Sequence, residues 1–152
     1  MALKISAEAA QVMQRDAEGA YPNECCGFFY GKEEGDRLIQ EAVPVKNSKE
    51  GDQRRRFEIS PLDYMKAERY AAEKGIDLLG VYHSHPDHPA RPSEHDLKQA
   101  VPYFSYIIYS VQQGKMADVT SWRLKEEEQA FEEERIEEGK ENGVGSPETR
   151  SR

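Results

Sequence analysis

Long apolar runs are missing from this sequence. No stretch approaches the roughly 18 residues needed to cross a bilayer, and the opening MALKISAEAA lacks the apolar run and cleavage site of a signal peptide. A soluble cytoplasmic protein without membrane contact is therefore expected. Cysteine is scarce: Cys25 and Cys26 are the whole supply. Neighbours on a strand face opposite sides, so no ordinary disulfide between them and no metal held by both is expected, and the pair reads as small buried filler. Clustered basic charge is also scarce. Arg54, Arg55 and Arg56 form the one basic run, which reads as a solvated loop, and a net charge of −8 argues against nucleic acid as a partner. No internal repeat is found.

What is present fits one domain, since 152 residues suit a single core. Charged residues make up 33% of the chain and apolar residues 37%, an unusually polar balance. The excess is local. From 126 to 138, eight glutamates stand against Arg135 alone and account for seven of the eight net negative charges. Residues 1–125 are therefore read as the domain. Residues 126–152 are read as an acidic C-terminal tail, either a solvated helix or disordered.

Ser6 followed by AEAAQVMQRDAEG predicts a capped amphipathic helix, with Ala10, Met13 and Ala17 on one face and an end at Gly19. CGFFYG and RLIQEAVPV flank GKEEGD and predict a hairpin. Ser60-Pro61-Leu62-Asp63 supplies a cap, a proline at the first helical position and an acid at the third. It opens a second helix, with Tyr64, Ala67 and Ala71 on one face and a stop at Gly75. DLLGVYHSH predicts a buried strand, Ser93 a short third helix, and FSYIIYSVQ and DVTSWRL two closing strands around the turn QGKMA. The order α-β-β-α-β-α-β-β implies an α/β domain with a mixed sheet packed on helices.

His83 and His85 stand two apart at a strand end, so both imidazoles project from one face, as a divalent metal requires of two neutral nitrogens. An exposed pair at a strand end is the plain alternative. Asp96, ten residues beyond His85 at a predicted helix start, is placed to fold back as a third ligand. The fourth position then stays open, as in catalytic sites.

The stretch HSHPDHPARPSEHD fits His-x-His, seven residues, Ser, two residues, Asp without a gap. This resembles the JAMM (MPN-plus) metalloproteases. NECCGFFYG resembles the Glu-x-x-Gly segment that the family carries upstream, and the two motifs together place the resemblance over about residues 5–125. It implies a JAMM/MPN-like curved mixed β-sheet flanked by helices and one catalytic zinc ion on His83, His85 and Asp96. Glu24 is then the catalytic acid/base and Ser93 the donor that stabilises the oxyanion. Read from its position alone, Ser93 is equally a helix N-cap, and Ser84 is a supporting or structural residue.

The reaction implied is hydrolysis of a peptide or isopeptide bond at the C-terminal tail of a ubiquitin-like protein bound as an added strand. The compact chain looks closer to prokaryotic relatives, some of which trim a C-terminal amino acid from sulfur-carrier proteins ending in Gly-Gly. Two rivals are weighed. HSHPDH also matches the string of metallo-β-lactamase-like hydrolases, with Asp87 and His88 as further ligands, but no histidine follows His95 to complete that site. A non-catalytic scaffold of the same fold is the other, and such relatives lose metal ligands that this chain keeps. His88 and His95 are read as loop residues.

Overall fold

The computed structural model describes residues 2–125 and 127–138. In chain order the elements are β1 (Ala2–Ile5), α1 (Ala7–Ala20), β2 (Cys26–Glu34), β3 (Asp36–Val45) and α2 (Pro61–Lys74). They continue with β4 (Asp77–Pro86), α3 (Glu94–Gln99), β5 (Ser105–Gln112), β6 (Lys115–Lys125) and β7 (Ala130–Glu138). All eight expected elements are present in the expected order, and two further strands, β1 and β7, join them.

Those two strands close the sheet. The spatial order is β1-β3-β2-β4-β5-β6-β7, with β7 returning to β1. β1 runs parallel to both β3 and β7, β4 runs parallel to β5, and the remaining pairs are antiparallel. The sheet is mixed and curved, as expected. Its closure corrects the reading of the acidic stretch as a helix or disordered tail: from Ala130 to Glu138 it is a strand, paired with β6 over 130–134 and with β1 over 135–138. Phe131 and Ile136 anchor it in the two cores, and Glu134 accepts a hydrogen bond from Ser121 at 2.9 Å and faces Arg123 at 3.7 Å. Two apolar anchors and two built-in partners outweigh the low strand propensity of glutamate. The part of the tail reading that concerns 139–152 lies outside the described residues.

The helices cover opposite faces of the sheet. α1 buries Ala9, Met13 and Ala17 against Leu3, Phe29, Ile39, Leu79, Ile107 and Val111. α2 buries Ala67 and Ala71 against Phe28, Tyr30, Val81 and Tyr106. Successive residues of β2 therefore feed different cores, as the pleat requires, and each fully buried large side chain contributes roughly 1.5–3 kcal/mol. The caps are those the sequence predicts. Ser6 accepts from the Ala9 N–H, Ser60 from the Asp63 N–H, and Gly75 ends α2 at φ 70°. Ala9 replaces Ala10 on the buried face, and α1 continues one residue past Gly19. Turns are tighter than expected: only Gly35 separates β2 from β3, and β5 meets β6 through Gln113 and Gly114, both at positive φ.

No described helix is long and apolar enough to cross a membrane. Cys25 and Cys26 are free and buried on a shared strand end, and burial raises both thiols, Cys26 to about 12.

Candidate metal centre

Strand β4 carries both histidines on the face turned towards α2. Its odd positions Val81, His83 and His85 share that face, while Tyr82 joins the α1 core. The loop after β4 then returns the chain to Ser93, where α3 begins with a reciprocal capping box: Ser93 Oγ accepts from the Asp96 N–H at 3.0 Å, and Asp96 Oδ2 accepts from the Ser93 N–H at 2.9 Å. The cap thus fixes the carboxylate. Asp96 Oδ2 lies 3.4 Å from His83 Nε2 and 3.3 Å from His85 Nε2, and the two nitrogens are 3.2 Å apart. These three residues converge as a group able to hold a metal ion.

The surroundings aim the three donors. His85 Nδ1 sits 2.9 Å from the Pro89 carbonyl, so it carries the proton and leaves Nε2 with a free lone pair. His83 is stacked on Phe57 with ring centroids 4.5 Å apart, and its Nδ1 has no hydrogen-bond partner. Burial lowers the His83 pKa, against the pull of Asp96, and keeps the ring neutral. For His85, burial acts in the same direction but is outweighed by Asp96, the Pro89 carbonyl and Glu24, so its pKa is raised. Asp96 is held well below the usual carboxylate range: burial opposes ionisation, and the two imidazoles with the Ser93 N–H overcome it.

Glu24 stands just before β2, whose Cys26 pairs with His83, so the antiparallel register carries Glu24 towards His85. Its backbone is clamped: its N–H donates to the Gln53 carbonyl at 2.7 Å, and its carbonyl accepts from Asn47 Nδ2 at 3.1 Å. Burial pushes its carboxyl up to about 8; His85 and Arg56 offset part of this, and Asp96 adds to it.

Other participants stand outside the expected donor and catalytic set, and Ser84 has the supporting role expected of it. Ser84 accepts from the Cys25 N–H at 2.8 Å, which ties the end of β2 to β4. The irregular stretch 46–56, whose Arg54–Arg56 run was expected as a solvated loop, holds the Glu24 backbone through Gln53 and Asn47. Gly27 has a reason as well, because a Cβ there would lie 2.4 Å from the Tyr82 ring. A hydrophobic-pattern reading passes over such loop and backbone contacts.

Two cavities meet at the centre. One, of about 250 Å³, reaches His83 and Asp96 and is walled by Phe57, Tyr64, Tyr106, Ile108, Trp122 and Phe131 among others. The other, of about 340 Å³, is bordered by Glu24, His85, His88 and Ser93 together with Arg55, Arg56 and Arg91. The segment 55–59 lines both. Arg56 and Glu58 spend their backbone groups on Asn47 and Ser48, whereas Phe57 and Ile59 make no backbone hydrogen bond among the described residues. Asp87 is elsewhere, held by Tyr21 Oη at 2.6 Å and the Gln113 N–H at 2.8 Å. Neither it nor His88 joins the donor group, and His95 lies on α3 instead of in a loop.

The family described as prokaryotic homologs of the JAB domain matches residues 6–125, which contain the whole of this centre. The chain belongs to that family. The chain is 34% identical over 88 residues to the probable TtuB-protein conjugate cleaving protease of Thermus thermophilus, spanning 58% of this chain and 56% of that one. It is 31% identical over 113 residues to the desampylase of Haloferax volcanii, spanning 71% and 80% of the two chains. It is 27% identical over 123 residues to the CysO-cysteine peptidase of Mycobacterium tuberculosis, spanning 80% and 82%. The JAB fold is matched by a solution structure of a protein from Desulfitobacterium hafniense at 30% identity and a TM-score of 0.80, over 91% of this chain and 94% of that one.

Proposed function

We propose that the chain is a zinc metallopeptidase that hydrolyses a peptide or isopeptide bond at the C-terminal tail of a ubiquitin-like or sulfur-carrier protein. The observation that carries this reading is the donor triangle. A tetrahedral zinc ion with bonds of about 2.0–2.1 Å needs ligand atoms about 3.3 Å apart, and the three edges here are 3.2, 3.3 and 3.4 Å. Two imidazole nitrogens and one carboxylate suit zinc and leave a position for substrate or water. The named activities of the three relatives support the substrate class.

When bound, zinc acidifies water and polarises a carbonyl. His83, His85 and Asp96 would hold it. Glu24, outside the donor triangle, takes a proton from the attacking water and delivers it to the leaving amine. Ser93 Oγ accepts from the Asp96 N–H, yet its own O–H remains to donate to the oxyanion, so the cap and the catalytic role coexist. Among the described strands the sheet closes on itself, so none is an outermost strand along its whole length. The segment 56–59 beside the centre, where Phe57 and Ile59 make no backbone hydrogen bond among the described residues, is where the tail would pair as an added strand. A cytoplasmic setting belongs to the same proposal and rests on the two unpaired thiols.

The test combines metal analysis with a substrate panel. Purified protein should carry about one zinc per chain and shorten ubiquitin-like or sulfur-carrier proteins bearing C-terminal extensions, read by mass spectrometry. Glu24→Gln should keep the zinc and lose turnover. Absence of zinc, or undiminished turnover in Glu24→Gln, would refute the reading.

A further inference from the structure

The loop after β4 brings the Pro89 carbonyl to 2.9 Å from His85 Nδ1. Residues 87–90 belong to no helix or strand, so that carbonyl is only as well placed as its neighbours are held. Side chains of the next two strands hold them. Ser110 Oγ on β5 donates to the His88 carbonyl at 2.6 Å, and Thr120 Oγ1 on β6 donates to the Ala90 carbonyl at 2.6 Å. Two hydroxyls thus grip the carbonyls immediately before and after Pro89.

Each hydroxyl is itself aimed. Gln112 Nε2 donates to Ser110 Oγ at 3.0 Å, and Trp122 Nε1 donates to Thr120 Oγ1 at 2.8 Å. An oxygen that receives an N–H turns its own proton to the remaining acceptor, here the loop carbonyl. The two relays are alike in every part: an N–H two residues further along the strand, a hydroxyl, a loop carbonyl. The register explains their place. Ser110 pairs with His85 across β4 and β5, and Thr120 pairs with Ile108, which pairs with His83. The loop therefore folds back over β5 to β6, beside the strand end that bears both histidines.

The grip matters because two acceptors compete for one proton. His85 Nε2 lies 3.3 Å from Asp96 Oδ2, while Nδ1 faces the Pro89 carbonyl at 2.9 Å. A neutral imidazole has a single N–H. On Nδ1 it leaves the Nε2 lone pair for an ion; on Nε2 it removes that donor. A carboxylate is the stronger acceptor, and the carbonyl offsets this only by its closer, fixed position. Resting on the zinc reading above, we propose that Ser110 and Thr120 are positioning residues of the metal centre. Through the carbonyls of His88 and Ala90 they hold the Pro89 carbonyl against His85 Nδ1 and so keep Nε2 open as a ligand.

The experiment compares the unaltered protein with the combined Ser110→Ala, Thr120→Val variant, with Thr120→Val alone and with Thr120→Ser. Zinc affinity is read by competition with a chelator. On the metal-free forms, nitrogen NMR in alkaline buffer shows which ring nitrogen of His85 carries the proton. The combined variant should lower zinc affinity about 10- to 100-fold, the range for a lost outer-sphere partner, and move the His85 proton towards Nε2. Thr120→Val alone should give a smaller loss in the same direction. Thr120→Ser keeps the hydroxyl and should stay within about twofold of the unaltered protein. Unchanged affinity and unchanged ring nitrogens in the combined variant overturn the proposal. So does a loss as large in Thr120→Ser as in Thr120→Val, or a fall in affinity that leaves the proton on Nδ1, since either means that the hydroxyls serve only the fold of the loop. If the combined variant fails to fold, Thr120→Val against Thr120→Ser decides alone. If the unaltered protein takes up no zinc, the metallopeptidase reading fails, and the His85 nitrogens decide the positioning role by themselves.

Discussion

Near its start, β4 offers the Leu79 carbonyl to the fully buried guanidinium of Arg37; near its end, it offers His83 and His85 to Asp96. Both centres are polar and both are buried, yet they are built differently. Arg37 Nη1 donates to Leu79 O at 3.2 Å and to Ser105 Oγ at 2.9 Å. Nη2 lies 3.5 Å from Glu33, and the Tyr103 ring lies 4.4 Å from the guanidinium carbon. This one cation therefore binds β2, β3, β4 and β5 together, and its partners are the protein's own. At the other end three acceptor-capable atoms face one another, with no protein cation among the donors that converge there. Burial alone does not distinguish a structural charge from a functional one. What distinguishes them is whether acceptors and an opposite charge face the buried group, as around Arg37, or lone pairs converge on one point, as at His83, His85 and Asp96.

Removing a member from each centre separates the two kinds. Asp96→Ala should weaken zinc binding by more than the 10- to 100-fold of an outer-sphere change, about a thousandfold, read by competition with a chelator. Unfolding without metal should change far less, because Asp96 lies on a short helix with no buried residue. Stoichiometric zinc in Asp96→Ala would break the comparison at its functional end. Arg37→Ala should do the reverse. Loss of the cation leaves Glu33, Leu79 O and Ser105 Oγ without their partner and costs about 3–5 kcal/mol in chemical denaturation, with zinc affinity retained. A mild loss of stability would mean that Arg37 is not the tie that its contacts describe.

The two centres were not equally legible in the sequence. His83, His85 and Asp96 could be picked out because metal donors are few in kind and their spacing, a strand alternation followed by a capped helix start, is local. Glu24 and Ser93 entered only through the resemblance, since nothing adjacent to a lone carboxylate or a cap serine marks its role. Arg37 drew no notice, because its partners lie 42 and 68 residues away. The missed strands share this cause. Four residues of β1 and the glutamate-rich β7 have weak local signals, and each is fixed by pairing with the other across the length of the chain. Arg55 and Arg56 looked like part of an ordinary solvated run until the fold placed them around the same cavity as Glu24.

Tightness of packing offers a finer comparison within the functional half. Gly27, opposite Tyr82 in the register, admits the Tyr82 ring so closely that an added Cβ would sit 2.4 Å from it. Gly27→Ala should cost about 1–3 kcal/mol through overpacking. Because Tyr82 precedes His83, it should also weaken zinc binding. If stability falls with zinc affinity intact, the donor triangle is buffered from its own strand's core face.

Asp16 stands between the two cases and yields the smallest effect. It is a carboxylate partly enclosed by the core, receiving the Tyr82 hydroxyl at 2.8 Å. Burial raises its pKa above 3.8, and the hydrogen bonds from Tyr82 and Cys25 offset this only in part. The folded chain therefore binds the Asp16 proton more tightly than the unfolded chain. That contribution to stability is complete below the unfolded pKa and is lost as pH rises through the elevated folded pKa. Asp16→Asn keeps an acceptor for Tyr82 and has no such loss. The stability of the variant relative to the original should thus rise between about pH 4 and about pH 7, measured by denaturation at each pH. A difference that stays level would show that Tyr82 alone compensates the charge, making Asp16 a structural charge held by the protein's own groups. A difference that falls would mean that the carboxylate is stabilised in the fold, contrary to the dominance of burial.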